Sequence, residues 1–166
     1  MKRELTLADV VGYMAHEVIF EKRDEDGSVG LRRIYPPAVQ ALGRPVLRPM
    51  SDLYVEITDR GYNDGKAFIP IAELANIVED QESAQWIFEQ ADERMYSCYW
   101  KDWFLWDHER KTFIRTDSLS SSTAYVITCS YKLYDFLCRL HFDFRGLIDD
   151  GLAINVHDLL TNTYEP

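Results

Sequence analysis

The segment LCRLHFDFRGLIDDGLAINVHDLL, residues 137–160, decides the fold class: an apolar helical pattern runs through His141 and Asp143 and is then broken at Gly146 and Gly151. Just upstream, residues 130–142 place Leu133, Leu137 and Leu140 on one stripe and Tyr134, Cys138 and His141 on its neighbour. That is the period of an amphipathic helix. Gly146 is expected to end it and Gly151 to close a short helical turn over 147–151. Both should have positive φ, where glycine carries no Cβ penalty. Residues 152–156 then read as a strand. Helix, glycine turns and strand in succession place the chain in the α+β class.

Working outward from this segment gives the other elements. Residues 5–14 predict a short helix with Thr6 as its cap and Leu7, Val10, Val11 and Met14 facing inward. Residues 16–23 alternate, reach the turn cluster at 24–28 and lead into 30–35, so the pair reads as a β-hairpin stopped by Pro36 and Pro37. Pro49 keeps Arg48 out of helical backbone, and Ser51 or Asp52 can cap a short helix carrying Leu53, Tyr54 and Ile57. The turn-rich stretch 59–65 precedes a short strand over 66–71, interrupted at Pro70. Residues 71–94 read as mostly helical with an acidic outer face. Aromatic residues in near-alternation over 95–106, a polar turn at 107–111 and 112–116 predict a second hairpin. Residues 124–128 are a strand candidate after the serine-rich 118–122. The expectation is one α+β domain over 1–166, with antiparallel hairpins packed against about four helices.

Length and composition agree with a folded chain. With 166 residues, 46% apolar and 28% charged, it can bury a core without staples. There is no apolar run near 18 residues, and charge interrupts the first residues too early for a secretory signal. The expected location is the cytoplasm, with no membrane association. Cys98, Cys129 and Cys138 are an odd number without CxxC spacing, which favours reduced, buried thiols.

The net charge of −10 is uneven: residues 1–60 carry nine basic and ten acidic side chains, and 61–166 carry nine and eighteen. Glu79, Asp80, Glu82, Glu89, Asp92 and Glu93 occur within fifteen residues that contain no base. Such a run repels a phosphate backbone and argues against direct nucleic-acid binding. It is either a solvated surface or a face for a protein partner with a basic surface. As a contact, the candidate residues are Glu79, Glu82, Trp86, Glu89, Asp92, Glu93 and Trp103, the tryptophans serving as apolar anchors. Tyr96, Tyr99, Trp100, Trp103, Phe104 and Trp106 could stack on flat ligands, but the acids beside them favour packing or protein contact.

Chemistry has little support. The serines at 118–122 lack a glycine elbow, and the nearest paired carboxylates, Glu17 with Glu21 and Asp149 with Asp150, read as solvated. His141, Asp143, Asp149, Asp150, His157 and Asp158 are the one cluster of potential metal ligands. On a continuous helix, however, residues two apart point about 200° from one another. His141 is therefore expected as a hydrogen-bonded core histidine, with the aspartates capping or solvating turns. No metal or cofactor is expected. A small enzyme or metal-binding protein using the His141/Asp143 region is the rival to a non-enzymatic binding role.

Three pieces in order, VLRPMSDL (46–53), FIPIAEL (68–74) and HFDFRGLIDDGLAINVHDLLTNTYE (141–165), carry a resemblance. The chain resembles a group of uncharacterised small proteins of Bacteroidetes phages and prophages, with a common form near LRPLSDL, then a phenylalanine-proline segment, then HFDvfgLIekGLAIdinTL. Asn155 and His157 depart from it where an acidic residue and an asparagine are usual. The resemblance implies a phage or mobile-element setting and assigns no catalytic residue. In that setting a small acidic protein acts by binding host machinery, such as a defence nuclease, or serves as a structural phage protein.

Overall fold

The structure, a computed structural model, describes residues 3–23, 28–33, 43–78, 86–89, 93–97, 102–116, 125–127, 131–160 and 163–165. Helices and sheets are mixed, as the α+β reading expects, with three α-helices among the described residues: α1 (Leu7–Met14), α2 (Pro70–Val78) and α3 (Tyr131–Arg139). The strands are β1 (Ile19–Arg23), β2 (Val29–Arg33), β3 (Val46–Leu47), β4 (Trp86–Glu89), β5 (Arg94–Ser97), β6 (Asp102–Asp107), β7 (Thr112–Thr116), β8 (Tyr125–Val126) and β9 (Ile154–Asn155). The chain forms two compact units, one of Met1–Met50 with Leu137–Pro166 and one of Ser51–Phe136. No helix among the described residues is long and apolar enough to cross a membrane.

The first unit joins the two ends of the chain. Its β1 and β2 pair antiparallel, as the 16–35 pattern predicts, and β3 pairs with β9 in parallel. Ile19, Val46, Ile154, Val156 and Tyr164 form one buried cluster. Helix α1 starts at Thr6, whose amide and hydroxyl both donate to the Asp9 carboxylate, at 2.9 and 2.7 Å. Its inward face differs from the predicted one: Val10, Tyr13 and Asp9 are buried, while Leu7 and Val11 are half-exposed. The Tyr13 hydroxyl explains this, since it donates to the Phe142 carbonyl at 2.7 Å and turns the Tyr13 side of the helix inward. A tyrosine counts as neither polar nor apolar in a periodicity, yet here it sets the phase.

Helix α3 confirms the stripe of Leu133, Leu137 and Leu140, all buried, but it stops earlier than Gly146. The Phe142 amide bonds the Leu137 carbonyl at 2.9 Å and the His141 amide bonds that of Cys138 at 3.1 Å. This pair of bonds is a Schellman cap, and His141 occupies its left-handed position with φ 61°. Gly146 and Gly151 do have positive φ, 78° and 70°, in the turns that follow. Close approach of α1 to α3 also requires a glycine: a Cβ on Gly12 would meet the Cys138 sulfur at 2.8 Å.

The second unit is built on an antiparallel sheet in the order β4-β5-β6-β7-β8. The hairpin predicted over 95–116 is present as β6 and β7, with Trp103 opposite Thr116 and Trp106 opposite Phe113. One face of the sheet is core: Met95, Phe104, Trp106 and Phe113 are buried, and the Phe104 and Phe113 rings stack at 5.1 Å. The Tyr54 hydroxyl accepts from the Trp106 amide at 3.1 Å, and burial pushes that hydroxyl up to about 12. Two predictions fail here. Pro70 does not interrupt a strand but opens α2, where its missing N–H is harmless. Residues 71–94 are not one helix, because Trp86–Glu89 forms β4, paired with β5 from Glu89–Arg94 to Trp86–Ser97. Consecutive tryptophan, isoleucine and phenylalanine are poor helix formers and suit a strand.

Candidate functional site

The register fixes which residues share the second face of the five-stranded sheet. Side chains alternate along a strand, so Ile87 and Glu89 of β4, Arg94 and Tyr96 of β5, and Trp103 and Leu105 of β6 lie on the face opposite the core residues. Tyr96 stands across from Trp103, their rings 4.5 Å apart, and the Arg94 guanidinium lies 3.7 Å from the Trp103 ring centroid. Glu89, directly opposite Arg94, bonds that guanidinium at 3.3 Å. Carboxylate, guanidinium, indole and phenol thus form a ladder across three strands. Ile87 at its edge is 50% exposed.

This ladder redistributes the predicted contact residues. Glu89 and Trp103 come together through Arg94, which was not among the predicted contact residues. Glu93 is exposed in the turn between β4 and β5, with φ 48°. Trp86 begins β4 opposite Ser97. Glu79, Glu82 and Asp92 lie outside the described residues, as do Tyr99 and Trp100. The acidic run is therefore not the outer side of one helix. Of the aromatic series, Phe104 and Trp106 are core, and Trp103 has one ring face taken by Arg94, so an open stacking platform is not what the strands build. The cation–π contact is worth ~0.5–2 kcal/mol and the half-exposed ion pair under ~1 kcal/mol.

The potential ligand cluster near residue 141 has a different character. Arg48, His141, Asp143 and Tyr164 are 1%, 5%, 5% and 4% exposed. His141 Nε2 lies 2.8 Å from the His16 carbonyl, to which it donates as an N–H, and its ring stacks on Tyr164 with centroids 4.1 Å apart and planes at 12°. The Arg48 guanidinium is 5.5 Å from the same Tyr164 ring. Tyr164 in turn donates to the Val46 carbonyl at 2.8 Å and accepts from the Ile19 amide at 3.2 Å. Both Asp143 oxygens accept backbone amides, Leu147 at 2.8 Å and Ile148 at 2.7 Å. Burial pushes the Asp143 carboxyl above the usual range; the Ile148, Leu147 and Gly146 amides oppose this, and Asp149 adds to it.

These bonds match the expectation that His141 is a hydrogen-bonded core histidine and Asp143 a turn cap. The two side chains are engaged with different backbone partners, and Asp149, Asp150, His157 and Asp158 are exposed. Among the described residues, no group of three or more histidine, cysteine, aspartate or glutamate side chains converges as a metal site would need. Cys138 is buried and unbridged, while Cys98 and Cys129 lie outside the described residues. Sequence reading missed Arg48 and Tyr164, which organise this cluster. An arginine in a segment read as a loop before a short helix and a lone tyrosine at 164 carry no periodic signal.

No family model, curated protein or solved structure matches this chain.

Proposed function

We propose that this protein is a non-enzymatic, protein-binding accessory factor of a phage or mobile element, acting in the cytoplasm of a bacterial host on a partner with a basic surface. The observation that carries the reading is the second face of the sheet, where exposed Ile87 adjoins the Tyr96–Trp103 pair and the carboxylates of Glu89 and Glu93. Partly exposed aromatic rings beside an exposed aliphatic residue, with acids at the margin of which Glu89 is paired with Arg94, are the composition of a contact surface with an apolar centre and a charged rim. A chain with net charge −10 is also steered toward basic partners and away from phosphate backbones. The phage-like segments supply the setting, in which a basic nucleic-acid channel of a defence nuclease is the partner to try first.

Capture from a Bacteroidetes host lysate tests this, with wild type run beside the Glu89→Gln/Glu93→Gln variant and beside Trp103→Ala. The expected result is a partner retained by wild type, weakened in both variants and released between about 0.05 M and 0.3 M salt. Identical capture by all three proteins, insensitive to salt, overturns the assignment of this face. The partner, once identified, enters an activity assay with and without the protein, and inhibition of cleavage is the outcome expected of a defence nuclease.

A further inference from the structure

Helix α1 is inverted relative to an ordinary surface helix. Its two polar side chains face inward, Asp9 held by Thr6 and Tyr13 bonded to the Phe142 carbonyl, while its exposed positions are Leu7, Ala8 and Val11, continued by Ala15 at the cap. Gly12 and Met14 are partly exposed. Leu7 and Val11 leave about half of their surface in water, 49% and 55%. The helices of a folded domain normally turn charged or polar residues outward, so a solvent face made of apolar residues alone is one that another surface covers.

The pattern on this face specifies the cover. Helix positions three and four apart line up in rows: Leu7, Val11 and Met14 make a raised row of large side chains, and one residue further on Ala8, Gly12 and Ala15 make a low row beside it. Gly12 has to stay low, because a Cβ there would meet the Cys138 sulfur. The face thus carries a ridge and a groove of the same spacing. A second copy, rotated by half a turn about an axis parallel to the helix, sets its ridge into this groove and receives this ridge in its own, the reciprocal contact of a two-fold interface. A valine with leucine and methionine at the flanking seam positions is also the arrangement that favours two parallel helices. We infer that two copies of this chain pair through parallel α1 helices, Val11 against Val11 and Leu7 over Ala8. Two helical turns offer well under the roughly 800 Å² that a standard interface takes from each partner, so the dimer is weak, with Kd on the order of 0.1–1 mM. The net charge of −10 on each copy opposes pairing, so salt tightens it, the reverse of the response expected with a basic partner. The inference is independent of the contact proposed through Glu89 and Trp103.

Sedimentation equilibrium of the full chain from about 10 μM to 1 mM, at ~0.05 M and ~0.5 M salt, measures the association. The expected result is a monomer–dimer equilibrium that tightens about threefold or more at the higher salt. Val11→Glu sets like charges against each other at the two-fold and should weaken the dimer about tenfold or more. Ala8→Leu fills the groove and should also weaken it, whereas a face that is merely sticky would associate more strongly with the larger side chain. Both positions are exposed, and unchanged circular dichroism verifies that the variants fold. In a mixture of differently isotope-labelled copies, contacts are expected between the Leu7 and Ala8 methyl groups of different molecules. A chain that stays monomeric to ~1 mM at both salts, a dimer loosened by salt or indifferent to Val11→Glu, a dimer strengthened by Ala8→Leu, or contacts of Leu7 with Met14 of the other copy, as an antiparallel pair would make, each overturns the inference. So does a different protein captured through this face while the purified chain is monomeric.

Discussion

Two regions of this protein combine an arginine with aromatic rings, and they behave as opposites. In the first unit, Arg48, Tyr164 and His141 are enclosed and spend their polar groups on backbone: Tyr164 ties the Val46 carbonyl to the Ile19 amide, and His141 holds the His16 carbonyl. In the second unit, Arg94, Trp103 and Tyr96 lie along a sheet face with exposed Ile87 beside them and Glu89 half in water. The same residue types are tied to backbone in one region and to one another in the other. Arg48 and Arg94 are both buried, 1% and 8% exposed, so the difference lies in what each meets: Arg94 has the Glu89 carboxylate and the Trp103 ring beside it, and Arg48 the Tyr164 ring.

Stability measurements by urea unfolding can break this contrast. The largest effect is expected at Tyr164→Ala, which removes a buried ring and two hydrogen bonds and should cost ~3–5 kcal/mol, whereas Trp103→Ala should cost ~1–2 kcal/mol. Similar losses at both positions would make the two regions equivalent. Next comes Gly12→Ala, which forces a methyl group against the Cys138 sulfur and should cost ~1–3 kcal/mol. Adding Cys138→Ala should recover much of that loss, a coupling that a double-mutant cycle reads directly. Independent, additive losses would mean that α1 and α3 do not approach as closely as described.

Smaller effects sharpen the picture within the first unit. Gly146→Asn should be milder than Gly146→Val by ~1 kcal/mol, because φ of 78° is tolerable for asparagine and strained for a β-branched residue. Two of the buried carboxylates, Asp9 and Asp143, should give pH dependences of opposite sign. Burial raises Asp9, but the Thr6 hydroxyl and amide and Arg3 outweigh it and hold Asp9 below its ordinary value. Its stabilising contribution is present above the unfolded value and is lost as pH falls through the lower folded one. Asp143, raised by burial, binds its proton more tightly when folded, so its contribution declines as pH rises from near 3.8 through the raised value. Asp9→Asn should flatten the acid limb of the stability profile, and Asp143→Asn should remove the decline just above it. Unfolding midpoints from about pH 2.5 to 7 check both signs; a steeper acid limb in Asp9→Asn would contradict the first.

Local signals carried much of the fold into view. Alternation revealed β1, β2, β6 and β7, a leucine stripe revealed α3, and the two glycines of positive φ were legible because few other residues enter that region easily. What escaped depends on distant partners. The strand at Trp86–Glu89 has three apolar residues in a row, which fit either a helix or a strand until β5 is seen beside them. The parallel pairing of β3 with β9 spans more than a hundred residues, and nothing local to either two-residue strand announces it. At His141, expected glycine chemistry was met by a histidine, whose ring contacts offset the backbone strain. Arg94 was hidden for a similar reason: only the register that sets it opposite Glu89 and within reach of Trp103 gives it a role.

The parallel pairing of Val46 with Ile154 and of Leu47 with Asn155 has a consequence for the order of events during synthesis. As the chain emerges, Ser51–Phe136 is complete long before the first unit has its last strand. Residues up to 50 must wait, with Phe20, Val46 and Leu47 uncovered, until the segment beyond residue 137 arrives to supply Phe142, Ile154 and Tyr164. Closing so long a loop is slow compared with forming local hairpins. The early segment is thus the part whose apolar side chains stay uncovered longest, until the segment beyond residue 137 closes over them.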